Sequence, residues 1–353
     1  MERRRFLQMM TAAAVGGAVG TSPAWASAFG GNTGAAGRRV VRRPSSGDLP
    51  GIALVQNPWT ASALNAEVAK LLIEENLGNS VEITAIDENT MFAGLAAGDL
   101  DACLELWPSG VTADLQAYFD DGTVVEIGPL GAIGRIGWYV PRYVQEQYPE
   151  TATWEAFLDP ELCREFASAE TGDLGRFLGT DPSYSQYDEA IIRNLGLHLQ
   201  VVYSGSEAAT VAALDSAVAA EEPILLYWWV PTAAAAKYDL VEVELPEYTD
   251  ECYADPEKVD CAYPEDVLVK IASPQLSAKD PAVSNFLAWF TMTNDDQLSM
   301  LPAVEIDGEP AADVAAQWVA DNEDKWTPWL SGDPPPAPPA SSTPATTPAT
   351  TGA

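Results

Sequence analysis

Short apolar runs alternate along this chain with longer stretches of helical spacing. Residues 51–56 read as a buried strand, closed by Asn57-Pro58-Trp59-Thr60. Over residues 61–75 the apolar positions Leu64, Val68, Leu71 and Leu72 share one face, predicting a helix that Gly78 and Asn79 end. A strand over 80–86, a helix over 90–97 and a strand over 103–106 follow. This βαβαβ rhythm implies parallel strands with helices on the sheet faces. Residues 124–140 are strand-like and carry Gly128, Gly131, Gly134 and Gly137, at a spacing unlike that of a phosphate loop. They are read as a crossing between two lobes. Helices near 154–167, 187–198 and 207–220 and a strand over 224–229 form a second α/β unit. Residues 240–245 offer a return crossing. The segment from Val267 onward, with helices near 281–293 and 310–324, completes the first lobe. Two α/β lobes joined by two crossings is the architecture of hinge-closing solute receptors.

Two of these strands end alike. Leu104-Glu105-Leu106-Trp107-Pro108 and Leu225-Leu226-Tyr227-Trp228-Trp229-Val230-Pro231 are apolar runs that reach Trp and are then broken by Pro. Proline fixes φ and has no N–H for a ladder, so each Trp falls where a strand gives way to a loop. In open α/β sheets ligands bind there. Two indoles at strand ends suit a cation that cannot hydrogen-bond; ordinary core tryptophans are the alternative. Trp228 is the expected core member of its pair, because adjacent strand residues face opposite ways. Trp59 and Trp138 are further candidates for the cleft wall, and Tyr187 competes with Tyr184.

The formal charge of −34, from 52 acidic and 18 basic residues, excludes nucleic-acid binding by a basic face and otherwise describes a solvated surface. Paired carboxylates are unavoidable in such a chain and identify no catalyst. His198 is the only histidine, no C-x-x-C and no G-x-S-x-G occurs, and neither a metal site nor acyl-transfer chemistry is expected. Cys252 and Cys261 flank a polar, turn-forming stretch and are expected to form a disulfide, worth about 2–3 kcal/mol on the chain-entropy model. Cys103 and Cys163 are read as buried thiols.

The ends carry different signals. Arg3-Arg4-Arg5-Phe6-Leu7 resembles the twin-arginine export motif, and a weakly apolar stretch and small-x-small cleavage signals follow it. Residues 1–28 are read as the signal peptide and 29–49 as a flexible linker; no Cys there supports a lipid anchor. Residues 331–353 form a Pro/Ala/Thr-rich tail expected to be disordered. The lobes are placed at 50–134 with 240–330, and at 135–239. The mature protein is expected outside the cytoplasm, in the periplasm or on the cell-envelope exterior.

Several ordered segments of residues 50–330 resemble the substrate-binding proteins of ABC importers for glycine betaine, choline and related quaternary amines. Leu95-Ala96-Ala97-Gly98-Asp99 with Trp107-Pro108 is similar to that family's "LxxGD…W" segment. Gly179-Thr180-Asp181-Pro182-Ser183-Tyr184 is similar to "G-x-[ND]-P-G-W", and Pro223 to Pro231 to "P-[VI]-[FL]-x-Y-x-W-x-P". The Trp318…Trp326…Trp329 spacing also resembles that family. The resemblance implies a two-lobed periplasmic-binding-protein (type II) fold of the α/β class with two hinge crossings. It implies a monomeric, non-catalytic receptor without a cofactor, delivering its ligand to an ABC permease. It also implies that Trp107, Tyr184 and Trp229 enclose a trimethylammonium group. Aromatic faces attract such a group at about 0.5–2 kcal/mol each. A ligand carboxylate would be received by backbone N–H groups of Ser185 and Gln186. Two departures stand out: Tyr184 replaces the usual Trp, and Val111 stands where some members place a carboxylate-contacting His. An exported carbohydrate-active enzyme, or the same fold with another small solute, are the competing readings.

Overall fold

The computed structural model describes residues 49–331; the signal peptide, almost all of the linker and the Pro/Ala/Thr tail read from the sequence lie outside the described residues. Nine strands form one mixed sheet: β1 (Ile52–Gln56), β2 (Val81–Ala85), β3 (Ala102–Leu106), β4 (Val125–Pro141), β5 (Gly175–Gly179), β6 (Leu199–Tyr203), β7 (Leu225–Val230), β8 (Leu240–Val243) and β9 (Glu265–Ala272). Their order is β2-β1-β3-β9-β4-β7-β5-β6, with β8 paired to β4 off that path.

The order follows from the pattern of connections. β1 pairs in parallel with β2 and β3, and β5 pairs in parallel with β6 and β7, as helical crossovers require. The two parallel halves meet at the long strand β4. Its first part, Val125 to Arg135, pairs antiparallel with β9; from Arg135 to Tyr139 it pairs antiparallel with β7. The glycines of this strand serve it differently. Gly128 and Gly131 have positive φ (116° and 110°) and lie at shifts in the β4–β9 register, where a side chain would be strained.

Several elements differ from the sequence reading. Residues 240–243 do not return to the first half of the sheet. They form β8, paired to the Trp138–Pro141 end of β4, and the chain rejoins the first half only at β9. The single helix read near 154–167 is a 3-10 turn, Trp154–Leu158, and a short helix, Pro160–Glu165, separated by the N-cap Asp159. The helix Asn294–Glu305 has no counterpart in the sequence reading, because polar residues fill its first turn and Pro302 lies in its last. It packs between the helix Thr60–Leu72 and the start of the helix Ala233–Lys237.

Cys252 and Cys261 are joined by a disulfide, and Cys103 and Cys163 are buried free thiols. Lys270 is fully buried in β9, and its ammonium donates to the carbonyls of Leu287, Ala288 and Phe290 at the end of the helix Pro281–Trp289. Among the described residues no helix is long and apolar enough to cross a membrane.

Candidate functional site

Four strands deliver aromatic side chains to one place from their C-terminal ends. β1 stops at Gln56, and Trp59 is the N-cap residue of the helix that follows. β3 stops at Leu106; Trp107 comes next, and Pro108–Gly110 makes one 3-10 turn. The loop after β5 carries Tyr184, and β7 carries Tyr227 and Trp229 on one face. Trp59, Trp107, Tyr184, Tyr227 and Trp229, with Ile136 of β4, line a single cavity. Its polar wall is Glu88, Ser109, Gly110 and Ser185. The space between these side chains that a water-sized sphere can occupy is about 30 Å³, so the rings stand close together around it.

The rings meet edge to face. Trp59 and Tyr184 have centroids 5.6 Å apart at 87°, and Tyr184 and Trp229 lie 5.8 Å apart at 79°. In each pair the positive edge of one ring is set against the negative face of the other. Trp228 is fully buried and stacks on Trp229, with centroids 4.5 Å apart at 27°, and its indole N–H donates to Thr232 Oγ1 at 2.8 Å. Trp107 approaches β4 closely: a Cβ on Gly134 would sit 2.2 Å from its ring. Only glycine leaves room there.

One carboxylate sets two of the indoles. Glu105, 1% exposed in β3, accepts from Trp59 Nε1 at 2.8 Å and from Trp107 Nε1 at 3.1 Å, both on Oε1. Its Oε2 accepts from Asn65 Nδ2 at 2.6 Å and Gln297 Nε2 at 3.2 Å. Burial pushes the Glu105 carboxyl up to about 7, against the pull of these donors. A shared carboxyl acceptor on the N–H edge of both rings has no counterpart in the sequence reading.

The turn and loop are fixed by local hydrogen bonds. Ser109 donates its N–H and hydroxyl to Asp266 of β9 at 2.7 and 2.6 Å. In the loop after β5, Asp181 accepts from Ser183 N, Tyr184 N and Gln186 Nε2. Tyr184 OH donates to the carbonyl of Pro58 at 2.6 Å, tying this loop to the entrance of the first helix. Thr60, on that helix, donates N–H and hydroxyl to Glu207 Oε2 at 2.8 and 2.9 Å. In return Ala234 N–H donates to Glu305 Oε2 at 3.1 Å. Burial raises the carboxyls of Glu207 and Glu305 to about 7 and about 8.

Of the residues singled out from the sequence, Trp59, Trp107, Tyr184, Ser185 and Trp229 come together at the cavity. Trp138 does not. It is fully buried, packs against Phe177 with centroids 4.6 Å apart, and donates its indole N–H to Asp188 at 2.7 Å. Asp188 starts the helix Asp188–Leu195, so Trp138 belongs to the core beneath that helix. Gln186 is not among the lining residues, and its side-chain amide donates to Asp181 O at 2.7 Å. The Ser185 N–H does face the cavity region, but it donates to Glu88 Oε1 at 2.6 Å. Tyr187 is engaged with Ser109 O and Tyr263 OH behind the wall. Glu88, Tyr227 and Ile136 are wall residues not foreseen. Tyr227 had a signal, since it stands two residues before Trp229 and shares its face.

Comparison with known proteins places this geometry. Residues 50–321 match the family described as the substrate binding domain of ABC-type glycine betaine transport system. The trimethylamine N-oxide-binding protein of Pelagibacter ubique (strain HTCC1062) is 24% identical over 284 residues, spanning 79% of this chain and 90% of the relative. Among solved structures, an ABC-transporter choline binding protein in complex with choline is similar with a TM-score of 0.66 and 18% identity, over 80% of this chain and 92% of that one. Lactococcal OpuAC, closed and complexed with glycine betaine, is similar with a TM-score of 0.61 and 20% identity, over 80% and 99%.

Proposed function

This chain belongs to the family of substrate-binding domains of ABC-type glycine betaine transport systems, and we propose that it captures a methylated ammonium solute in an aromatic cage and delivers it to an ABC permease. Family and fold are those of solute receptors rather than enzymes. The observation that carries the ligand reading is the convergence of Trp59, Trp107, Tyr184, Tyr227 and Trp229 on one cavity without a cationic side chain in its wall.

A quaternary ammonium has no N–H, so hydrogen-bond acceptors cannot recognise it directly. The negative faces of aromatic rings can, and they also bury its methyl groups. Trp59 and Trp107 carry an anionic hydrogen-bond partner on their N–H edges, which enriches the faces they present. The first half of the sheet supplies Trp59 and Trp107, and the second half supplies Tyr184, Tyr227 and Trp229. Both halves must therefore approach for the cage to be complete, and hinge closure upon the ligand is the expected coupling to transport. The Glu207–Thr60 and Glu305–Ala234 hydrogen bonds join the two halves beside the cavity. The resemblance of Arg3-Arg4-Arg5-Phe6-Leu7 to the twin-arginine export motif supports delivery to the outer side of a membrane.

Titration calorimetry with choline, glycine betaine, carnitine and trimethylamine N-oxide tests the reading. At least one is expected to bind at micromolar Kd or tighter, and Trp107→Ala or Trp229→Ala to abolish the heat while the fold persists by circular dichroism. No heat from any of the four refutes the ligand class. Undiminished binding by both variants refutes the cage.

A further inference from the structure

The acidic side of the cavity narrows the ligand class, an inference that rests on the cage reading above. The backbone amides of Ser185 and Gln186 are the donors that the family resemblance assigns to a ligand carboxylate, and of the two only Ser185 lines the cavity. In this structure that amide is already taken: Ser185 N–H donates to Glu88 Oε1 at 2.6 Å. Glu88 is 8% exposed and is itself part of the cavity wall. It follows β2, whereas Ser185 follows β5, so this bond spans the two halves of the sheet. Asn89 Nδ2 donates to Ser183 O at 3.2 Å beside it and repeats the connection. Gly110 closes the same corner: a Cβ there would lie 3.2 Å from Ser185 Cβ and 3.5 Å from Glu88 Oε2.

Nothing in the wall offers a carboxylate a counter-charge. The lining residues include no Lys, Arg or His, and Val111 brings no donor. The charged groups that surround the cavity are themselves acidic: Glu105 behind two indoles, Glu207 on Thr60, and Asp266 on Ser109. A betaine carboxylate would have to displace Glu88 from its amide and remain beside it, and like charges sharing a site are strongly disfavoured. A cation without an acid group meets the opposite situation. Its charge is complemented by the rings and by Glu88, and a hydroxyl such as that of choline has a carboxylate oxygen to donate to.

We propose that Glu88 acts as a built-in substitute for the ligand carboxylate, so that the receptor selects methylated ammonium solutes lacking a carboxylate and discriminates against glycine betaine. The residue acts by touching the ligand's polar end, through charge and occupancy of the Ser185 amide.

The test is calorimetry on the full mature chain with three probes: choline, trimethylamine N-oxide and glycine betaine. At least one of the first two is expected to bind about tenfold or more tighter than glycine betaine, a difference of about 1.4 kcal/mol. Glu88→Gln keeps an oxygen for the Ser185 amide and removes the charge; it is expected to shrink that preference at least fivefold. Glycine betaine binding as tightly as both other probes overturns the proposal and leaves the aromatic cage standing. An unchanged preference in a folded Glu88→Gln variant also overturns it. Absence of binding by all three overturns the cage reading and this inference together. Should the variant fail to fold, the wild-type ranking decides alone.

Discussion

Replacing Glu105 separates two contributions that this one carboxylate makes to the cage. Glu105→Gln is nearly isosteric. Its amide oxygen can still accept from Trp59 and Trp107, and once the side-chain amides of Asn65 and Gln297 turn over, its amide nitrogen can donate to their oxygens, of which Asn65 Oδ1 has no hydrogen-bond partner in the wild-type structure. The indoles are therefore expected to keep their places while the charge is lost. One indole's width, about 7 Å, separates that charge from a cation in the cavity, and at an effective dielectric near 20 the attraction is about 2 kcal/mol. Part of this is repaid by water and salt, so the expected loss of affinity is about tenfold, measured by calorimetry at pH 8. Glu105→Leu removes the acceptor as well and strands two indole N–H groups and two side-chain amides in a buried place. Each orphaned donor costs about 1–3 kcal/mol, so with these groups left unpaired this variant should lose at least about 4 kcal/mol of stability in urea titrations and most of its affinity. The Glu105 carboxyl is raised to about 7 by burial. Wild-type affinity for a cation should accordingly rise between pH 6 and 8, and Glu105→Gln should flatten the part of that rise that Glu88, also raised to about 7, does not supply. Wild-type affinity in Glu105→Gln at pH 8, or an equally steep pH profile, would refute the electrostatic role.

Two further outcomes follow from single features. Gly134→Ala should expel the Trp107 ring from its place on β4, because the added Cβ would sit 2.2 Å from a rigid ring; affinity should fall about tenfold or more, with a changed tryptophan emission spectrum. Stability should also depend on pH. Glu88, Glu105, Asp188 and Glu207 are raised to about 7, and Glu305 to about 8, so the folded chain binds more protons than the unfolded chain between about pH 4.5 and 7. That makes stability fall as pH rises through this window. Lys270, lowered to about 7, has the opposite effect only above pH 7. The Tm by calorimetry is expected to be at least about 4 °C higher at pH 5.5 than at pH 7.5, and a lower Tm at pH 5.5 would contradict these shifts.

The parts of the site legible in the sequence are those set by local rules. A strand stopped by Pro places Trp107 and Trp229 at loop entrances, and the Asn57-Pro58 stop does the same for Trp59. Tyr184 was found by resemblance to a motif, not by pattern. The rest depends on tertiary contacts that local pattern does not encode. Trp138 lies on the same strand as the wall residue Ile136, yet its indole is drawn beneath a helix by Asp188. Glu88 occupies an ordinary polar loop after β2, and only the approach of the β5 loop turns it into wall. Glu105 alternates within an apolar strand as any buried outlier would; its role emerges from the neighbouring Trp107 and from donors on two distant segments, Trp59 with Asn65 on one and Gln297 on the other. The difference at residues 240–245, read as a return crossing but forming β8 on the far end of β4, has the same origin. A short apolar run predicts a strand, but which end of β4 it pairs with is decided by packing.

The central claim is that positive charge, and not merely a methylated shape, is what the rings recognise. Choline and 3,3-dimethylbutan-1-ol have the same shape and hydroxyl, and differ in whether nitrogen or carbon carries the three methyls. Competitive calorimetry of the two ligands on the wild-type protein tests the claim directly. Four or five aromatic faces backed by Glu105 predict choline binding at least about 100-fold tighter, about 2.7 kcal/mol. Equal affinity for the neutral alcohol would contradict the claim.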